Sequence, residues 1–99
     1  MTITKKQNGN SLEIFLEGRL DTVTAPELEA ELKSSLGGVE DLTMNFAKLE
    51  YISSAGLRVL LAAQKIMNKQ GKMVIRGANE TILEVFDITG FCDVLTVEQ

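Results

Sequence analysis

The 99-residue chain has no histidine and one cysteine, Cys92. Without histidine, neither a Ser-His-Asp nor a Cys-His nucleophilic centre can be assembled, and the commonest metal-binding side chain is missing. A lone cysteine excludes an internal disulfide and any cysteine-based metal cluster, so Cys92 is expected to be a free, buried thiol. No apolar run approaches the roughly 20 residues that cross a bilayer. MTITKKQNGN, at the start of the sequence, has two lysines but no apolar segment of signal-peptide length after them. The expectation is a cytoplasmic protein without membrane insertion. Basic runs are also missing, since none exceeds Lys5-Lys6, and 14 acidic against 10 basic residues give a net charge of −4. Phosphate backbones would repel such a surface, so a protein partner is expected rather than nucleic acid.

What is present describes one α/β domain over residues 1–99, because 44% hydrophobic and 24% charged residues are ordinary for a globular chain able to bury its own core. SLEIFLEG alternates Leu12, Ile14 and Leu16 with Glu13, Phe15 and Glu17, the period of a strand with one strongly apolar face, and Asn8-Gly9 signals a hairpin back to Thr2–Lys6. Gly18 is expected to end that strand. A helix is expected from Thr24, with capping-box spacing to Glu27, Pro26 in its first turn and Leu28, Leu32 and Leu36 facing inward until Gly37-Gly38. Leu42, Met44 and Phe46 mark a strand running on toward Ile52, Leu57–Lys69 the longest helix, and KMVIR a short strand. Asn79 caps a third helix ending at Gly90, with a final edge strand over Asp93–Val97. The order β-β-α-β-α-β-α-β implies a mixed four- or five-stranded sheet flanked by three to four helices.

YISSAGLR, residues 51–58, lies where a strand's carboxyl end meets a helix's amino end, the edge at which ligands gather in open α/β sheets. Two roles compete for its serines. Ser53 can cap the helix, which is worth about 0.5–2 kcal/mol and leaves Ser54 incidental. Alternatively a hydroxyl accepts a phosphoryl group, whose charge meets free N–H groups at the helix start while changing the surface a partner sees. Gly56 costs roughly 1 kcal/mol relative to alanine inside a helix, which suggests that close backbone approach is useful there. In the helix that follows, Val59, Leu60, Ala63, Ile66 and Met67 share the core face, while Leu57 and Leu61 lie on the flank with Gln64, Lys65 and Asn68. That pair either packs against the Asn79 helix or joins Arg58 in a protein-binding surface next to the serines.

YISSAGLRVLL resembles the signature of STAS domains, specifically of bacterial anti-sigma-factor antagonists, and GRLDTVTAPEL, LTMNFAKLEYI and VFDITGF agree with it in order along nearly the whole chain. The resemblance implies a domain with no catalytic centre or cofactor. In this family the unphosphorylated antagonist binds an anti-sigma factor that is also a serine kinase, which frees the sigma factor. The kinase phosphorylates the antagonist and a metal-dependent serine phosphatase resets it. Aligning Gly56-Leu57 with the family's Gly-Leu places the phosphoacceptor at Ser54, with Ser53 as the alternative. Ser53 then stands where aspartate is frequent, and Ala55 where serine or threonine is frequent. The implied partner surface comprises Asp21, Ser53, Ala55, Gly56, Leu57, Arg58 and Leu61, on a monomer or weak dimer, with Asp21 equally suited to turn formation. An accessory subunit of a lipid-transport ATP-binding-cassette complex is the alternative within the same fold.

Overall fold

The computed structural model describes residues 1–98. The chain forms strands β1 (Thr2–Asn8) and β2 (Ser11–Leu20), helix α1 (Ala25–Ser35), strand β3 (Asp41–Ile52), helix α2 (Ser54–Gln70), strand β4 (Lys72–Arg76), helix α3 (Glu80–Thr89), a 3-10 turn at Phe91–Asp93, and strand β5 (Val97–Glu98). The sheet has five strands in the order β1-β2-β3-β4-β5; β1 runs antiparallel to β2, and every later neighbour is parallel. Three successive right-handed crossovers moving the same way across a sheet put their helices on one face. Burial along the strands agrees: Leu12, Ile14, Leu16, Leu42, Met44, Phe46, Met73 and Ile75 are buried against the helices. The opposite face is polar and open, with Asn45 donating to Glu13 at 3.1 Å and Arg76 paired with Glu98 at 3.0 Å.

Several local expectations shift. Asn8 pairs with Ser11, so the hairpin turn is Gly9-Asn10, with positive φ at Gly9 alone (63°), the pattern of a type II′ turn. Gly18 does not end β2; it sits inside the strand at φ 108°, beside a register shift against β3 that lets the chain run on to Leu20. Thr24 precedes α1 but makes no side-chain cap. Its hydroxyl instead donates to the Arg19 carbonyl at 2.7 Å and accepts the Asp21 N–H at 2.9 Å. Asp93 falls in the 3-10 turn, leaving only Val97–Glu98 as the last strand. Cys92 is exposed rather than buried, because the 3-10 turn carries it outward, with Sγ 4.0 Å from an Asp87 carboxylate oxygen. The Asn79 cap is as expected: its side chain accepts the Ile82 N–H at 2.8 Å and donates to the Leu49 carbonyl at 3.1 Å.

The buried arc of α2 holds Gly56, Leu57, Val59, Leu60, Ala63, Gln64 and Met67. On a helical projection this arc is turned about 40° toward Leu57 from the face expected from hydrophobic spacing. The side of α2 that packs on β3 and β4 is centred there, while α1 lies along Val59, Ala63 and Ile66 on the other flank and leaves Ile66 partly uncovered. Leu57 therefore joins the core at 5% exposure, whereas Ile66 is left 38% exposed. Leu61 is half-buried.

Candidate functional site at the amino end of the second helix

Leu20 and Ile52 end β2 and β3 side by side, and the Ser53 N–H donates to the Leu20 carbonyl at 2.9 Å. This bond brings the β2–α1 turn against the start of α2. Ser53 is extended, with φ −102° and ψ 176°, and its hydroxyl accepts the Gly56 N–H at 3.5 Å. Ser53 is thus the cap. Ser54 is the first helical residue and is exposed, and among the described residues its hydroxyl has no hydrogen-bond partner. Nothing activates it as a nucleophile of this chain. It is a hydroxyl presented to solvent.

Asp21 organises the neighbouring turn. Its carboxylate accepts the N–H groups of Val23 at 3.0 Å and Thr24 at 3.2 Å, and it lies 3.8 Å from the Arg19 guanidinium. The Thr24 N–H foremost, with the Val23 N–H and Arg19 assisting against partial desolvation, holds the Asp21 carboxyl below the usual carboxylate range. A folded-state pKa below the unfolded one means that the ionised group adds stability above about pH 4, lost as the pH falls through the lowered value. Asp21→Asn, which mimics the protonated acid, should therefore melt below the parent at neutral pH and converge with it as the pH falls through the lowered carboxyl value. Thermal unfolding followed by circular dichroism across that range checks this, and a gap independent of pH would contradict it.

The site residues read from the sequence separate into two groups. Ser53 and Ala55 are half-buried, Ser54 and Arg58 are exposed, and Asp21 and Leu61 are intermediate; all remain accessible at this edge. Gly56 and Leu57 face inward. A Cβ on Gly56 would lie 2.7 Å from Leu20 Cγ and 2.8 Å from Ile52 Cγ1, so the close approach the glycine permits is of helix to sheet. Gly56 and Leu57, expected in the partner surface, thus belong to the core. Reading the sequence alone missed three neighbours. Arg19 stacks 4.4 Å from the centroid of the Tyr51 ring, a pairing set by the β2–β3 register. Val23 is 80% exposed at the tip of the Asp21 turn, and its only sequence signal is an apolar residue among turn formers. A groove of about 250 Å³ runs between the helices, lined by Thr22, Pro26, Glu29, Ala55 and Arg58 among others. Among the described residues no three His, Cys, Asp or Glu side chains are placed to hold a metal.

The chain matches the STAS domain over residues 2–99. It belongs to the STAS domain family. Among relatives of this STAS protein, BtrV of Bordetella bronchiseptica is 35% identical over 99 residues, covering 98% of this chain and 85% of BtrV. The anti-sigma-B factor antagonist of Bacillus subtilis is 29% identical over 98 residues, covering 98% of this chain and 90% of its own length. Among solved structures, the anti-sigma factor antagonist SpoIIAA in its unphosphorylated form superposes with a TM-score of 0.77 at 18% identity, covering 99% of this chain and 88% of that one. The phosphorylated form of Bacillus SpoIIAA gives 0.76 at 19% identity, covering 99% and 92%. The STAS fold is therefore a single five-stranded mixed sheet with its helices, as observed here, and no helix among the described residues is long and apolar enough to cross a membrane.

Proposed function

We propose that this STAS protein is an anti-sigma factor antagonist of the cytoplasm, switched by phosphorylation of Ser54. Unmodified, it binds an anti-sigma factor that is also a serine kinase and relieves inhibition of the sigma factor. The observation that carries this reading is the division of labour between the two serines: Ser53 is committed to the cap, while the Ser54 hydroxyl is exposed and uncommitted. The kinase would transfer the γ-phosphoryl of ATP to Ser54 Oγ. That step forms the new P–O bond, breaks the bond to ADP and passes the hydroxyl proton to a base of the kinase. A metal-dependent serine phosphatase would return the hydroxyl by hydrolysis. The names of the Bacillus subtilis relative and of SpoIIAA, the latter solved in both phosphorylation states, support the reading.

The test is incubation with ATP and the serine kinase encoded nearest this gene, followed by peptide mass analysis. One phosphoryl group, about 80 Da, is expected on the peptide containing Ser54. It should be absent in Ser54→Ala and retained in Ser53→Ala. Modification at Ser53 alone, or none at all, would sink the assignment.

A further inference from the structure

The outward face of α2 continues from Ser54 in a row of cations to which the switch as described gives no part. At 100° per residue, Ser54, Arg58, Leu61, Lys65 and Lys69 fall within an arc of about 80°. Ser54, Arg58, Lys65 and Lys69 on this arc are exposed. The sequence of α2, SAGLRVLLAAQKIMNKQ, has no acidic residue. In a chain of net charge −4, this one helix is purely basic. Lys5, Arg19, Lys33, Lys48, Lys72 and Arg76 each have a carboxylate within 4.0 Å, while among the described residues Arg58, Lys65 and Lys69, and outside α2 Lys6, have none. Glu29, across the groove from Arg58, is instead paired with Lys33 at 3.9 Å.

We propose that Arg58 is a receiver, built into the chain, for the phosphate on Ser54. Residues four apart on a helix are surface neighbours, and an anion placed one turn before a cation is the favourable order. The planar guanidinium fork matches phosphate oxygens two at a time. Arg58 has no competing salt bridge to give up. Phosphorylation then does two things at once: it adds a dianion at the head of α2, and it draws Arg58 out of the groove shared with Thr22, Glu29 and Ala55. A partner that uses Arg58 as a hydrogen-bond donor loses it through the same event that introduces the repelling charge.

This inference rests on Ser54 being the modified residue, but its test needs no kinase. Phosphoserine is installed at position 54 during translation in the full chain, and its second ionisation is followed by phosphorus NMR. The titration midpoint should lie ~0.5 pH unit, a threefold change in the proton equilibrium, below that of Arg58→Gln. Arg58→Lys, a point charge without the fork, should fall between the two. Lys65→Gln removes the same charge from the same face two turns further on and should move the midpoint far less. The helix N–H groups and the other charges at this edge, Arg19, Asp21 and Glu29, are common to the whole series. Equal midpoints with and without Arg58 overturn the proposal, as does a Lys65→Gln shift as large as that of Arg58→Gln. A chain that no kinase modifies defeats the switch while this titration stands or falls by itself. An unshifted midpoint in a chain that is modified defeats only the role of Arg58.

Discussion

Gly71→Ala is expected to cost about 3 kcal/mol or more of folding stability, which in a domain of this size is roughly 12 °C or more of melting temperature. The added Cβ would lie 1.8 Å from the Glu40 carbonyl oxygen and 2.6 Å from its carbon. Backbone, not a flexible side chain, would have to move. That carbonyl is already engaged by the Lys72 N–H at 2.9 Å, the bond that joins the start of β4 to the start of β3. The adjoining Gln70 side chain donates at 2.7 Å to the carbonyls of both Leu36 and Val39, anchoring the end of α2 to the loop before β3. Relief of the clash therefore disturbs strand pairing and helix anchoring together. Gly56→Ala should cost less. Its Cβ meets side chains rather than backbone, and alanine returns about 1 kcal/mol of helix propensity. Urea unfolding of the two variants measures the difference, and a Gly71→Ala protein as stable as the parent would refute the steric argument.

Both glycines show where sequence reading stops. Each was visible as a helix boundary or a helix irregularity, but the partner that demands the missing side chain, Glu40 for Gly71 and Leu20 with Ile52 for Gly56, comes from another element. The elements themselves were legible because their signals are local: the alternation of Leu12, Ile14 and Leu16, the Asn79 cap and the uninterrupted helix formers after Leu57. Errors fell where tertiary packing overrides a local rule. Thr24 has capping-box spacing, yet its hydroxyl is taken by Arg19 and Asp21 in the turn before the helix. Ile66 and Leu57 exchanged places because the rotation of α2 on β3 and β4, which no local spacing fixes, sets its buried arc. At the site, the serines and Arg58 were readable from one contiguous stretch. Val23 and the Arg19–Tyr51 stack were not, since strand register alone brings Arg19 opposite Tyr51 and bonds the Val23 turn to Ser53.

Ser54→Asp should separate fold from function most sharply. At the first position of α2, a carboxylate faces the unpaired N–H groups and the positive end of the helix dipole, an interaction worth about 0.3–1 kcal/mol. The first turn has no acidic residue to repel it, and Ser54 is exposed, so nothing is desolvated in the isolated protein. The melting temperature should hold or rise by a few degrees, consistent with ~4–8 °C per kcal/mol. In complex with the proposed serine-kinase anti-sigma factor, the same carboxylate would be buried with no countercharge from the kinase, and any pairing with Arg58 would take that donor from the interface. An unpaired charge in an interface costs about 2–5 kcal/mol, a loss of roughly 30-fold to several thousand-fold in affinity. Ser54→Ala removes the acceptor oxygen without adding charge, so it should bind as the parent does and be insensitive to ATP. Calorimetric titration of the three proteins with the kinase, alongside their melting curves, reads both quantities. Ser54→Asp binding as tightly as the parent would show that the helix start lies outside the interface. Lost binding with a lowered melting temperature would instead trace the effect to the fold.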